Sequence, residues 1–231
     1  MKKECISTRA QSRLRRIKEL SLPEYTLSEE LMNAISHGIG AALAIAAIVL
    51  LIINSNFAAK SVVSVTIYSS SLFILYIIST LYHALAPNKA KKVFRILDHC
   101  SIFLLIAGTY TPICLLILEG VVGWVLFSIV WLAAIVGIVF NSIDIKKFAK
   151  FSMICYIAMG WVVIFAIKPL IDSITSFQLA LLVSGGIAYT VGAGLYGLGK
   201  KYKYIHSIWH LFVLAGSILH FFMVFGCIKS M

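Results

Sequence analysis

Apolar residues along the chain gather into seven long runs separated by short polar breaks. The runs cover residues 31–53, 62–86, 94–118, 121–140, 149–168, 177–198 and 204–228. About 20 mainly apolar residues in a helix cross the roughly 30 Å of bilayer hydrocarbon, so each run is long enough to span. The breaks between runs are short, which makes consecutive spans antiparallel neighbours. The pattern predicts an all-α membrane protein, a seven-transmembrane helix bundle, with a basic tail at 1–28 and a membrane domain at 29–231. Pro87 and Pro169 are expected to mark span ends and Pro112 to kink the third span. The stretch Arg13–Leu20 has the makings of a short amphipathic helix on the membrane surface. In the sixth span Ser184, Ala188 and Gly192 recur every four residues, as do Gly186, Thr190 and Gly194, a spacing that lets helix backbones approach closely. Tyr25 and Tyr82 fit interfacial anchoring.

Composition removes the soluble alternative. Apolar residues make up 61% of the chain and charged ones 13%, and the mean hydropathy is +0.97, too little polar surface for a domain in water. The net charge of +11 does not point to nucleic acid, because the basic residues sit in short loops between spans, where they set topology and attract anionic membrane lipids. Lys2, Lys3, Arg9, Arg13, Arg15, Arg16, Lys18, Lys89, Lys91, Lys92, Arg95, Lys146, Lys147, Lys150, Lys200, Lys201 and Lys203 fall on the N-terminal side of the spans. Only Lys60, Lys168 and Lys229 fall on the other. The positive-inside rule then predicts a cytoplasmic N-terminus, and an odd number of spans a C-terminus outside. Cys5, Cys100, Cys114, Cys155 and Cys227 contain no C-x-x-C pair and are odd in number, which argues against a disulfide framework or a zinc knuckle.

The polar residues that remain inside the spans carry the chemistry. Glu4, Glu19, Glu24, Glu29, Glu30, Glu119, Asp144 and Asp172 lie in the tail, loops or span edges; Asp98 alone lies within a span. A carboxylate at that depth costs a few kcal/mol without a partner. Its bland explanation is an ion pair with Arg95, three residues earlier on the helix. All six histidines, His37, His83, His99, His206, His210 and His220, fall in or at spans. Measured from the ends predicted to be cytoplasmic, His37, His83, Asp98, His206 and His210 share one layer drawn from four helices, while His220 lies about 20 Å beyond His206. His206 and His210 are four apart, share a helix face and can bind one ion; interhelical hydrogen bonding is the plainer explanation for that pair alone. Ser79 and His83 repeat the spacing. Three imidazoles leave a fourth position on tetrahedral zinc for water, and Asp98 could hydrogen-bond that water. Trp209, between the two histidines, is placed to line the site.

Four ordered motifs carry a resemblance: Glu30-Leu-Met-Asn33-Ala-Ile-Ser36-His37-Gly38-Ile-Gly40; Ser79-Thr-Leu-Tyr-His83; Leu97-Asp98-His99-Cys100-Ser101-Ile102 running into Ala107-Gly-Thr-Tyr-Thr-Pro112; and His206-Ser-Ile-Trp-His210. Over residues 28–228 the chain resembles the hemolysin III branch of the progestin and adipoQ receptor (PAQR) family, a relative of the alkaline ceramidases. The resemblance implies a seven-helix bundle oriented opposite to G-protein-coupled receptors. It also implies zinc held at His83, His206 and His210, with Asp98 reaching the metal through water and Ser79 lining the site. Cys100 stands where close relatives often have Ser, which leaves those ligands intact. Hormone reception is not carried over, since this chain has no long regulatory segment before its first span.

Three functions compete at this stage. A zinc-dependent hydrolase of lipid amides or esters would use the layered His/Asp cluster on a lipid-like substrate. A hemolysin-type membrane-lytic, pore-forming protein is what the family label implies, but a chain this apolar has no evident water-soluble form. A lipid sensor, transporter or proton path would need polar residues on both sides of the bilayer, and apart from His220 they lie on one.

Overall fold

The computed structural model describes residues 2–199 and 202–230, with side chains from residue 11 onward. Lys200, Lys201 and the side chains of Lys2, Lys3, Glu4, Cys5 and Arg9 lie outside the described residues. Helices run in the order α1 (Lys2–Glu19), α2 (Leu27–Ile53), α3 (Ala59–Ala84), α4 (Lys89–Pro112), α5 (Gly120–Asp144), α6 (Ala149–Trp161), α7 (Ile167–Ser173), α8 (Ser176–Leu198) and α9 (Ile205–Ser230). Seven spans result: α2, α3, α4 with the turns through Leu118, α5, the segment Ala149–Ser173, α8 and α9. Each expected run is present, and most extend past the apolar stretch at one or both ends, because polar residues cap the helices. Thr26 accepts from the Glu29 amide at 3.3 Å while the Glu29 carboxylate accepts from the Thr26 amide at 2.8 Å, a capping box that draws Ser28, Glu29 and Glu30 into α2. Asn88 accepts from the Lys91 amide and starts α4 in the same way.

Two proline expectations are modified. At Pro112 the third span does not simply kink; it widens into a π-helical stretch, Ile113–Leu118, and ends at Glu119 and Gly120, both with positive φ. Pro169 does not end the fifth span, which continues to Ser173. It sits in the first turn of α7, where a missing N–H costs little. The same span loosens into a 3-10 stretch at Val162–Ala166. Tyr110 on α4 serves that break, its hydroxyl accepting from the Val163 amide at 3.1 Å and donating to the Gly160 carbonyl at 3.0 Å. Irregular backbone at membrane depth is tolerable only with such partners.

A helix, α1, covers Arg13–Glu19 of the expected stretch and starts earlier, at Lys2. Ile17 and Leu22 at its end are buried, and Arg95 of α4 donates to the Ser21 carbonyl at 3.0 Å. Around the bundle, α2 contacts α3, α3 contacts α4, α8 contacts α9 and α9 returns to α2. The third span is the most buried of the seven. Large apolar residues such as Phe165, Val121 and Phe177 face outward, as lipid-facing positions do. The close approaches differ in part from the small-residue pattern. Gly192 abuts Trp209 and Phe212 on α9, but Gly194 faces open space, and the tightest contact on α8 falls at Gly185, beside His220.

The contact that sets α3 against α4 passes through Gly108: a Cβ there would stand 2.1 Å from Ser71 Oγ. Gly108→Ala is expected to destabilise the fold by about 1–3 kcal/mol through overpacking. Thermal unfolding in detergent checks this, with Gly108→Ala/Ser71→Gly recovering most of the loss.

Candidate metal centre

About one helical turn separates His206 from His210, and Ser79 from His83, which puts each pair on one face of its own helix. Only packing decides whether those faces meet, and they do. The ring centroids of His83, His206 and His210 form a triangle with sides of 5.4, 5.0 and 4.9 Å. One ligand nitrogen from each lies within 4.8 Å of the other two, and all three side chains are buried. The three histidines can hold a metal ion. His206 Nε2 and His210 Nε2 are 3.3 Å apart, close to the separation of roughly 3.4 Å for two nitrogens on a tetrahedral ion with bonds of about 2.0–2.1 Å. His83 Nε2 is buried without a partner, as a lone pair reserved for a metal would be.

A stripe on α2 completes the surroundings. Glu30, Asn33 and His37 sit at i, i+3 and i+7 on one helix face, all buried. Glu30 Oε2 is 2.7 Å from His83 Nδ1, and Glu30 Oε1 accepts from Lys91 Nζ at 2.7 Å. The Glu30 contact makes His83 Nδ1 the protonated nitrogen and turns Nε2 toward the other imidazoles. Lys91 also donates to the Leu85 carbonyl, and its ammonium lies 5.0 Å from the centroid of the Tyr82 ring. His37 stacks on His210 with centroids 3.7 Å apart, and neither of its nitrogens has a hydrogen-bond partner. Position along the chain alone puts Glu30 at a span edge and His37 in the shared layer, with no partner assigned to either. The signal that could have found them is the polar stripe itself, three polar residues on one face of an otherwise apolar helix.

Asp98 is buried beside the Ser79 hydroxyl, which makes no well-formed hydrogen bond of its own. Its carboxylate is not one of the group whose ligand atoms lie within 4.8 Å of one another, which consists of the three histidines. The alternative of an Arg95–Asp98 ion pair is not realised among the described residues. Arg95 donates to Ser21 instead. His99 lines the cavity beside Asp98 without joining the three histidines: its Nδ1–H donates to the Arg95 carbonyl at 3.0 Å and lies 3.7 Å from Asp98 Oδ2, and its Nε2 accepts from the Tyr196 hydroxyl at 3.0 Å. Trp209 lines the site as expected, 4.8 Å from His206 and 5.0 Å from His210 between centroids.

Tyr25 and Tyr82 are not free interfacial anchors. Tyr82 is buried against His83. The Tyr25 ring stacks on His206 at 4.8 Å, and its backbone carbonyl accepts from Arg13 of α1 at 3.0 Å. Burial there pushes the Tyr25 phenol pKa up, so the ring covers the centre as a neutral group. The N-terminal segment thus closes the cluster at the end of the bundle that holds most of the basic residues. Beneath it a cavity of about 360 Å³ runs past Arg95, Asp98, His37 and Trp209 to Tyr189 and His220, with walls that are mostly apolar.

Comparison with known proteins agrees with this architecture. Residues 25–221 match the family described as Haemolysin-III related. The chain is 50% identical over 200 residues to Hemolysin-3 of Bacillus cereus, covering 86% of this chain and 91% of the relative. It is 46% identical over 208 residues to the Hemolysin-3 homolog of Bacillus subtilis (strain 168), covering 89% and 97%. More distantly, it is 26% identical over 164 residues to the human Monocyte to macrophage differentiation factor, covering 68% and 67%. With seven spans, a matching family over most of its length and relatives matched nearly end to end, this chain belongs to the haemolysin-III-related family of multi-pass membrane proteins.

Proposed function

We propose that the protein is a zinc-dependent intramembrane hydrolase of lipid amides or esters. The observation that carries this reading is three buried imidazoles that meet in the same bundle as a mostly apolar cavity, whose lining includes Asp98, His37, which stacks on His210, and Trp209, which packs against His206 and His210. Zinc suits an all-imidazole donor set, and when bound by three ligands it supplies Lewis acidity and lowers the pKa of a water to about 7. Asp98 takes a proton from the attacking water at its carboxylate. As the new C–O bond forms and the C–N or C–O bond to the leaving group breaks, Asp98 returns that proton to the departing amine or alkoxide. Ser79 is placed to donate its hydroxyl hydrogen to the substrate carbonyl oxygen as negative charge develops there. The acyl chain occupies the cavity, held by apolar contact with residues such as Leu75, Ile102, Ile106 and Val213. Tyr25 and α1 exclude bulk water from the basic end, the end that the positive-inside rule assigns to the cytoplasm.

Glu30 positions His83. Its carboxylate is shared between an imidazole N–H and the buried Lys91 ammonium, and a buried pair of this kind is costly to break from one side only. A carboxylate behind a metal-binding histidine raises the basicity of the ligand nitrogen, and its loss typically weakens metal binding 10–100-fold.

The name of the Bacillus relatives carries a second reading, lysis of membranes. Leakage of dye from liposomes separates the two. Leakage that persists unchanged in Asp98→Ala would favour a pore, whereas leakage lost with Asp98 would make lysis a consequence of lipid hydrolysis.

Elemental analysis of detergent-purified protein is expected to give about one zinc per chain. The His206→Ala/His210→Ala variant should retain almost none; undiminished metal in that variant would falsify the proposed centre. Glu30→Gln should lower the melting temperature, because it leaves the Lys91 ammonium buried without its charge partner, and should bind zinc about 10–100-fold more weakly in competition with a chelator. Asp98→Ala is expected to keep its zinc and to lose about 100-fold or more in the hydrolysis of a fluorogenic acyl amide. Full turnover in that variant removes Asp98 from the chemistry.

A further inference from the structure

Most polar groups that line the cavity between the metal centre and its far end already have partners. Tyr189 shares its hydroxyl with Ser217 at 2.7 Å, Trp161 donates to Thr190 at 2.9 Å, Tyr156 donates to the His99 carbonyl at 2.8 Å, and Asn141 pairs with Ser152 and Tyr156. His220 differs. Its Nε2 bonds the Leu182 carbonyl at 3.0 Å, which in a neutral imidazole fixes the proton on Nε2 and leaves Nδ1 as a bare acceptor. That Nδ1 is buried and has no partner. The ring is held in place from two sides. It lies so close against α8 that a Cβ at Gly185 would stand 2.3 Å from its Cδ2, and the Tyr189 ring packs 5.4 Å away. His220 is among the residues that line the apolar cavity, and its unmatched acceptor calls for a donor, since an unmatched polar group there costs free energy.

We propose that His220 is a recognition point for a hydroxyl carried far along the acyl chain, so that the cavity selects ω-hydroxylated or similarly end-polar lipids over plain alkyl ones. The proposal rests on the reading of the cavity as an acyl site. Ten residues of α9 separate His210 from His220, an axial distance of about 15 Å that an extended chain of roughly a dozen carbons bridges. A carbonyl held beside Asp98 and the histidines therefore places a terminal hydroxyl of a medium-length chain at His220, where its O–H donates to Nδ1. A plain chain of equal length fills the same space and leaves that acceptor unmet.

The test uses the zinc-loaded, full-length protein in detergent and needs no turnover. The free acid is the product of the proposed cleavage, so displacement of a fluorescent fatty acid by ω-hydroxylauric acid is compared with displacement by lauric acid. The wild type should bind the hydroxylated acid about five- to tenfold more tightly, the contribution of one buried hydrogen bond. In His220→Leu the ratio should fall to about one. His220→Gln, whose amide oxygen still accepts, should retain part of the preference. Equal affinities in the wild type, or a ratio untouched by His220→Leu, overturn the assignment and leave the hydrolase reading standing. Displacement by neither acid overturns the acyl site and this inference together. Should His220→Leu fail to fold, the wild-type ratio and the Gln variant still decide the matter.

Discussion

Placing imidazoles in an apolar interior is costly unless their nitrogens are matched, and the arrangement of this bundle follows from how that requirement is met. His83 is matched on one side by Glu30, which is itself matched by Lys91, so a carboxylate, an ammonium and an imidazole from α2, α4 and α3 are bound into one buried unit. Breaking a buried charge network from one side is worth about 3–5 kcal/mol. The unit therefore fixes the rotation of three helices about their own axes. With α2, α3 and α4 so fixed, the free nitrogen of His83 points toward the pair on α9, and Asp98 and Ser79 stand alongside.

The same principle explains what remains unmatched. His83 Nε2, both nitrogens of His37, Ser79 Oγ and His220 Nδ1 are buried without hydrogen-bond partners, as are Asn33 Oδ1, Ser207 Oγ and His210 Nδ1 near them. Most of these atoms border either the histidine triangle or the cavity. A fold that satisfies Tyr76, Ser217 and Tyr189 through one chain of hydrogen bonds does not leave polar atoms at a ligand site without consequence. Such atoms extend the candidate site beyond the five residues that chain spacing alone singles out. The cover formed by Tyr25 and α1 has a related effect: it shields the centre from bulk water, which strengthens every electrostatic interaction inside.

Much of this protein was legible before any coordinates. Seven spans, their alternation and the crowding of polar residues into one layer follow from hydrophobic runs and a rise of about 1.5 Å per residue, which are local properties. Pairs four apart, such as His206 with His210 and Ser79 with His83, share a face for the same reason. Caps are local too, and Thr26 with Glu29 lengthened α2 in a way that counting apolar residues missed.

What only tertiary structure decided is the azimuth of each helix and the contacts across helices. Asp98 and His99 are adjacent and about 100° apart on the helix, and packing brings both to the cavity, with His99 held by the Arg95 carbonyl and the Tyr196 hydroxyl and kept out of the group of three histidines. Tyr25 reads from the sequence as an interfacial anchor, and it instead covers the histidine cluster, because the segment after α1 is held to α4 through Arg95 and the Ser21 carbonyl. Hydropathy fixes how deep a residue lies in the membrane, whereas the direction it faces depends on side chains that are distant in the chain, which no local pattern encodes.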